Sequence, residues 1–156
     1  MSSLREQIIQ QVVTVLNANG GVGCPVYRSR VEAATSSEGA FIVVGPGPDR
    51  VESAERGTRA HMMKLDRMLM VAVAVYTRRT VPADGSEPSS FDQVADPFLV
   101  AAHYRLMADP TLGGLAKGIL PGTCTPDLEA SAGDAGVMVA EYGIRYRHAV
   151  TDLDQP

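Results

Sequence analysis

The first apolar positions of the chain recur with the period of an α-helix. Between Leu4 and Ala18, leucine, isoleucine and valine return every three to five residues, which places them along one side of a helix. Ser3 precedes this stretch as a candidate N-cap, and Glu6 would complete a capping box with it. The glycine pair at 20–21 can adopt the left-handed conformation that follows a helix end, so the pattern predicts a helix over Leu4 to Ala18.

Three stretches with the composition of β-strands follow. Val26 to Arg30, after Pro25, is predicted to be a short extended segment. Ala40 to Val44 is predicted to be a strand that the Gly-Pro-Gly-Pro sequence at 45–48 cuts off. Met68 to Thr77 is apolar on both of its alternating faces. Such a strand is typical of the centre of a sheet, with helices over one side and another layer against the other.

Charged residues fill the segment from Arg50 to Arg67, between the second and third strand candidates. The pattern predicts two strand ends joined by a solvated hairpin tip around Gly57. One interpretation is a solvated strand end whose mixed charges prevent aggregation at the sheet edge. The other is a projecting arm that touches a partner subunit or lines a pore. Because its positive and negative charges nearly cancel, duplex nucleic acid is disfavoured as a partner in both interpretations.

Residues 78–90 are rich in serine, proline and small residues and are predicted to form a flexible loop. Neither half of the chain beside this loop is large enough to bury its own core, so 1–156 is expected to be a single domain. A second helix is predicted from Phe91 to Met107. Its proline, Pro97, leaves two alternatives: either Asp96 caps the helix and Pro97 opens it, or the helix is kinked there.

The pair Asp109-Pro110 repeats this cap-and-proline signal and predicts a short helix from Thr111 to Lys117. The chain then returns to β-structure, with Gly122 to Glu129 and Val137 to Val150 predicted to form a hairpin around a turn-rich connection. Residues 151–156 are expected to be a loose tail. The order of elements predicts an α+β fold with helices packed on one face of a mainly antiparallel mixed sheet.

Alternation in the last predicted strand separates a buried face from a wet one. Glu141, Arg145 and Arg147 share the wet face. The side chains on the other face are mostly apolar or aromatic: Met138, Ala140, Tyr142, Ile144, Tyr146 and His148.

Composition excludes several classes of protein. Of the 156 residues, 45% are apolar and 21% are charged, which excludes general disorder. With 14 Lys and Arg against 18 Asp and Glu, the net charge of −4 argues against a protein that coats DNA. No apolar stretch reaches the ~18–20 residues of a membrane span, and the first residues lack an apolar signal core. We therefore expect a soluble intracellular chain without a membrane partner.

The sequence contains no readable catalytic, cofactor or metal site. Cys24 and Cys124 have no basic partner nearby in the sequence, and each is expected to be a small buried or half-buried filler. His61, His103 and His148 lack the i, i+4 spacing of a helical metal pair and are expected to lie at the surface or the rim. The expectation is therefore a protein that is not an enzyme and holds no cofactor or metal.

The order of these elements, together with two motifs, resembles a known family. The motifs are Asp-Pro-Thr-Leu-Gly-Gly at 109–114 and a closing strand in which Tyr142 and Tyr146 are four residues apart. From about Leu4 to Asp154 the chain resembles the tail terminators (minor tail protein U-like) and neighbouring tail-completion proteins of tailed bacteriophages.

The resemblance implies a structural protein that is made in the host bacterial cytoplasm and resides in the virion, at the head-proximal end of the tail. There a homo-hexameric ring would stop polymerisation of the tail tube protein and offer a surface to the head-tail connector proteins. Such a ring needs complementary surfaces and no reacting group. The charge pattern suggests these residues for the subunit or tube interface: Arg50, Arg56, Arg59, Lys64, Arg67, Arg145 and Arg147.

Two alternatives remain open from the sequence. One is a head-tail connector or neck protein of similar α+β build. The other is a small cytosolic enzyme or ligand-binding module, which a convergent pocket around Cys24, Cys124 or the histidines would favour.

Overall fold

A computed structural model describes residues 2–30, 39–55, 63–79, 82–127 and 135–149 of the chain. The expected hairpin tip around Gly57, most of the turn before the last strand and the expected tail at 151–156 lie outside these ranges. The described elements are α1 (Leu4–Asn17), β1 (Val26–Arg28), β2 (Phe41–Glu55), β3 (Lys64–Arg78), α2 (Phe91–Ala108), β4 (Gly118–Pro126) and β5 (Ala135–Ala149).

The strands form one five-stranded sheet in the order β1-β2-β3-β5-β4. β1 runs parallel to β2, and every other neighbouring pair is antiparallel. Both helices contribute buried side chains to a core on one side of this sheet. The predicted α+β fold, a mainly antiparallel mixed sheet with helices on one face, is confirmed.

β3 is the central strand, as its two-sided apolar pattern predicts. It pairs with β2 on one side and with β5 on the other over nearly its whole length. Leu69, Val71, Val73 and Val75 face the helices and are completely buried. The opposite face of β3 is only partly buried at Met70, Ala72 and Ala74.

β5 shows the predicted alternation of buried and wet positions. Tyr142, Ile144 and Tyr146 are buried, whereas Glu141 and Arg145 on the other face are exposed. The start of its partner β4 lies earlier than predicted, at Gly118, because β4 pairs with β5 from that residue onward.

β2 does not stop at Gly45, so the predicted end of this strand is wrong. It continues to Glu55, with a register shift between Pro46 and Asp49. β1 covers β2 only over its first residues, so the later part of β2 is an edge strand, where a proline sacrifices no ladder hydrogen bond on the open side. Gly47 lies so close to β3 that a Cβ added there would be 3.0 Å from the Cβ of Met70.

α1 begins as predicted and ends at Asn17, one residue before the predicted end. The Ser3 hydroxyl accepts a hydrogen bond from the Glu6 backbone N–H at 3.3 Å, which confirms the N-cap. The Glu6 carboxylate, however, forms a two-pronged ion pair with Arg28 of β1, so its predicted role in a capping box is wrong. This pair ties the first turn of the helix to the edge of the sheet and lowers the pKa of Glu6.

α2 begins at Phe91 and not at Pro97, so the alternative in which Asp96 caps the helix is wrong. Ser90 is the N-cap, and its backbone N–H donates to the Gln93 side chain at 3.0 Å. Pro97 lies within the helix, where it removes one backbone donor without ending the element.

The short helix predicted at Thr111 to Lys117 is also wrong, because hydrogen-bonded turns occupy its place. Asp109 caps them as expected, accepting from the backbone N–H groups of Thr111 and Gly113 at 3.0 and 2.8 Å. Leu112 and the two following glycines have positive φ angles, which a right-handed helix cannot contain.

Arg105 of α2 connects the two helices. Its guanidinium donates to the backbone carbonyls of Ala18, Asn19 and Gly21, with distances of 3.3 and 2.7 Å to the last two. These carbonyls belong to the C-cap of α1 and to the loop that follows it, and the Ala18 carbonyl also accepts from the Gly21 backbone N–H. One side chain of α2 therefore holds the loop after α1 in place.

We predict that Arg105→Met lowers the free energy of unfolding by about 1–2 kcal/mol, because the carbonyls lose a charged donor. Urea unfolding followed by circular dichroism measures this difference. Arg79→Met, at an exposed arginine, is the control and should change stability by less than about 0.5 kcal/mol. Equal stability of the two variants would contradict the role given to Arg105.

Candidate assembly interface

The charged segment predicted from the sequence forms one end of the sheet, called here the charged arm: residues 49–55 of β2, 64–67 of β3 and 145–149 of β5. Glu55 pairs with Lys64, and Lys64 with Ala149, so three strands run side by side to this end. The two predicted strand ends are confirmed.

On the side of the sheet away from the helices, an ion cluster centred on Asp66 connects the three strands of the arm. The carboxylate of Asp66 accepts two hydrogen bonds from Arg147, both at 2.8 Å. Lys117 and Ser53 donate to it at 2.8 and 3.1 Å. The hydrogen bonds from Arg147 and then Lys117 hold the pKa of Asp66 well below its usual range.

The remaining cations of β5 are also paired inside the chain. Arg147 reaches a second carboxylate, that of Glu55, at 3.1 Å. Arg145 pairs with Glu52 at 3.1 Å. The two arginines singled out on the wet face therefore lie where alternation predicts, with their charges largely balanced by acidic residues of neighbouring strands.

Arg67 lies on the opposite side of the arm, facing the helices. Its Nε donates to Asp49 at 3.0 Å, and the Tyr146 hydroxyl donates to the same carboxylate at 2.7 Å. Burial and the bond to Asp49 raise the pKa of Tyr146.

Arg50 and Lys64 are exposed on the arm and form no ion pair with a described residue. Arg56 and Arg59, the other two cations proposed for an interface, lie outside the described residues. Of the seven cations, the structure thus leaves Arg50 and Lys64 as the described ones whose charge is available to another molecule.

The side of the sheet opposite the helices, called here the open face, is mostly apolar along its middle, with one exposed acid, Glu141 of β5, beside Ala72. Strand register places Val43 of β2, Ala74 of β3 and Val139 of β5 side by side across it, and all three are only partly buried. At one end of this face Phe41 stacks on Tyr76 with ring centroids 4.7 Å apart. The other end is the Asp66 cluster, so an apolar surface lies between an aromatic border and a charged one.

A groove of about 370 Å³ separates α2 from β4 at the edge of the sheet. Its rim includes two exposed apolar side chains of α2, Val100 and Tyr104, the latter 73% exposed. Inside it, the His103 Nδ1 atom is 3.4 Å from the Tyr142 hydroxyl, and Cys124 also lines the groove.

One cysteine and one histidine depart from their predicted positions, in opposite directions. Cys124 is exposed because β4 is an edge strand, so its prediction as a buried filler is wrong. Cys24 is half-buried as predicted, and burial raises the pKa of its thiol to about 11. His148 is only 2% exposed, so its predicted place at the surface is wrong. His103 is half-buried against Tyr142, and His61 lies outside the described residues.

The chemistry of the α2–β4 groove does not activate Cys124. Partial desolvation and the charge of Asp96 raise the pKa of the thiol, whereas a cysteine nucleophile depends on a lowered one. Across the described ranges, no three His, Cys, Asp or Glu side chains come together in a way that could hold a metal ion. Within the same part of the chain, neither helix has the length and apolar character needed to cross a membrane.

We predict that Asp66→Asn lowers the free energy of unfolding at pH 7 by about 1–2 kcal/mol. Because the pKa of Asp66 is lowered by folding, its stabilising effect is present above the ordinary carboxyl pKa of ~4 and is lost as the pH falls below it. The variant should therefore lose stability less steeply than the wild type between about pH 5 and pH 2.

Urea unfolding at a series of pH values measures both effects. Glu55→Gln is the matched control, because Glu55 is 68% exposed and contacts only one side of the cluster, through Arg147. A wild-type acid slope in Asp66→Asn would show that the cluster does not stabilise the arm.

Comparison with known proteins supports the fold and leaves the family open. No protein-family model and no curated protein sequence matches this chain. Among solved structures, it is similar to the sheath/tube terminator of PVC, an extracellular contractile injection system, in its extended state. The identity is 12% and the TM-score 0.50, over 100% of this chain and 60% of that one. The described chain thus spans about 60% of a protein that has a related fold.

Proposed function

We propose that this chain is a structural terminator: it forms a ring on the end of a tail tube, stops tube growth and offers a docking surface there. The observation that carries the proposal is the open face. The fold it shares with a sheath/tube terminator supports the same assignment.

Within the described ranges, no second layer of the chain covers the open face. β3 is apolar on both sides, yet both helices contribute to the core on one side only. A partly exposed apolar surface of this kind marks a contact with another molecule. In a closed head-to-tail ring each subunit has a neighbour on each side, so a neighbouring copy can cover this face.

The charges of the arm suit a permanent contact. Arg145 and Arg147 bring their own carboxylate partners, so burying these two arginines leaves neither of their charges unpaired. Arg50 and Lys64 remain available to the tube protein at the periphery. We propose the same peripheral role for Arg56 and Arg59, and only an internal, positioning role for Arg67.

The finer features of the proposal follow the resemblance seen in the sequence. They are a homo-hexameric ring, a position at the head-proximal end of the tail of a virion, contacts with the tail tube and with head-tail connector proteins, and assembly in the host cytoplasm. We also propose that the chain is not an enzyme, because the raised pKa of Cys124 opposes use of the α2–β4 groove for nucleophilic chemistry.

Ala74→Glu tests the open face, because it places a charge between Val43 and Val139 while the solvent-accessible side chain leaves the isolated fold intact. We expect the wild type to cap tubes assembled from a purified tail tube protein at a defined length. With the Ala74→Glu variant, the same tubes should grow to no defined length. Electron microscopy of negatively stained tubes measures their lengths.

Thr14→Glu, on the exposed side of α1, adds the same charge away from the sheet and should cap like the wild type. Ala74→Lys should fail like Ala74→Glu, because both charges resist burial. Normal capping by both Ala74 variants, with unchanged thermal unfolding, would refute the assignment of the open face.

Binding to purified tubes and purified heads separates the terminator from a connector or neck protein. A terminator should sediment with tubes that lack heads, whereas a connector should sediment with heads that lack tails. Sedimentation with heads alone would replace the proposed function by that alternative.

We predict that Cys124→Ala caps tubes as the wild type does, because the thiol contributes neither to the open face nor to the Asp66 cluster. The same tube-length measurement checks this. Loss of capping with a normally folded Cys124→Ala chain would redirect attention to the α2–β4 groove.

A further inference from the structure

A second cavity, of about 280 Å³, lies where the N-terminus of α1 meets the helix-facing side of the charged arm. Three elements of the sheet and the first turn of α1 surround it. The side chains that line it are Ser3, Arg5, Asp49, Arg67, Tyr146 and His148.

One ring nitrogen of His148 is buried and has no partner among the described residues. The ring is 2% exposed, and its Nδ1–H donates to the backbone carbonyl of Ala149 at 2.7 Å. With this proton on Nδ1 the neutral ring carries a lone pair on Nε2, which points away from Ala149. Nε2 is buried, and no group in the described ranges forms a hydrogen bond with it. A buried polar atom left without a partner destabilises the fold unless another group completes it.

The charges around the cavity do not cancel. Arg67 and the Tyr146 hydroxyl both donate to Asp49, which balances that carboxylate within the wall. Glu6, the nearest acidic residue of α1, is held by Arg28. The charge of Arg5 and the positive end of the α1 dipole are not balanced by an acidic residue that lines the cavity. Both therefore attract a negative group.

We propose that this cavity binds a carboxylate, which accepts hydrogen bonds from Arg5 and from His148 once the imidazole has taken up a proton at Nε2. The bound carboxylate forms a hydrogen bond with Nε2 of His148 and balances the charge of Arg5. Its source is either an acidic side chain of another protein or the chain's own acidic residues after β5, Asp152 and Asp154. The site is independent of the proposed function, because it is a property of the isolated chain.

The direction of the pH dependence follows from the proton taken up. Arg5, Arg67, Asp49 and Tyr146 also face the cavity, and Tyr146 and Arg67 both donate to Asp49. A carboxylate that accepts from Nε2 requires a proton on that nitrogen, so binding is coupled to proton uptake and is expected to strengthen as the pH is lowered. The comparison covers about pH 8 to about pH 6, where imidazoles exchange protons.

Nuclear magnetic resonance of the histidine ring nitrogens tests the proposal, with sodium acetate as the probe and sodium chloride at equal ionic strength as the reference. The measurement is made on the wild type and on an Asp152→Asn/Asp154→Asn double variant. We expect acetate, and not chloride, to shift the His148 Nε2 resonance toward the protonated position in at least one of them.

The comparison of the two chains identifies the source of the carboxylate. A response in the wild type means that the site is open to another molecule. A response in the double variant alone means that the chain's own carboxylates fill the site. No response to acetate in either chain, at any pH in this range, overturns the proposal.

Arg5→Gln removes one positive charge from the lining of the cavity and leaves the buried His148 in place. It should require about ten-fold more acetate for the same shift, because one charged hydrogen bond is lost. Lys64→Gln removes an equal charge from the exposed arm and should leave the response unchanged. An equal effect of the two variants would mean a general attraction of anions to the surface and would also overturn the site.

Discussion

The structure depends on one constraint: its central strand is apolar on both sides, but the part of the chain that the structure describes covers only one of them. On the covered side, Leu69, Val71 and Val73 are completely buried under the two helices. On the other side Ala72 and Ala74 remain partly accessible. A strand of this composition is typical of sheets in which both faces are covered, and this is the physical basis of the proposal that another molecule covers the open face.

The distribution of ion pairs fits the same constraint. Arg145 and Arg147 of β5 meet Asp66 of β3 and Glu52 and Glu55 of β2, so these two cations are already paired within one copy. Charges that must find new partners in the proposed ring would have to be desolvated first. Ion pairs that already exist in the single copy would reduce this desolvation cost.

Much of the fold could be predicted from the sequence, because the period of apolar residues reports directly on which face of an element is buried. α1, β3 and β5 are of this kind, and their faces are as predicted. The continuation of β2 past Gly45 could not be predicted in this way. It depends on the short length of β1, which leaves the later part of β2 as an edge strand that tolerates Pro46 and Pro48. The length of β1 is a property of the neighbouring strand and not of β2 itself.

The burial of side chains at the candidate sites could be predicted from the sequence even less well. Cys124 and His148 both lie on predicted strands, yet the cysteine is exposed and the histidine is buried. The difference arises because β4 is the last strand of the sheet, while the end of β5 lies beneath the first turn of α1. Alternation gives the face of a residue but not its distance from the sheet edge.

The pairing of Asp66 with Arg147 is likewise fixed by strand register, which alternation leaves free. A one-residue slip between β3 and β5 would put the two side chains on opposite faces of the sheet and leave Arg147 without its bidentate partner. The Asp66 cluster and the apolar positions beside it therefore depend on a single register: the same pairing that aligns Ala74 with Val139 aligns Asp66 with Arg147.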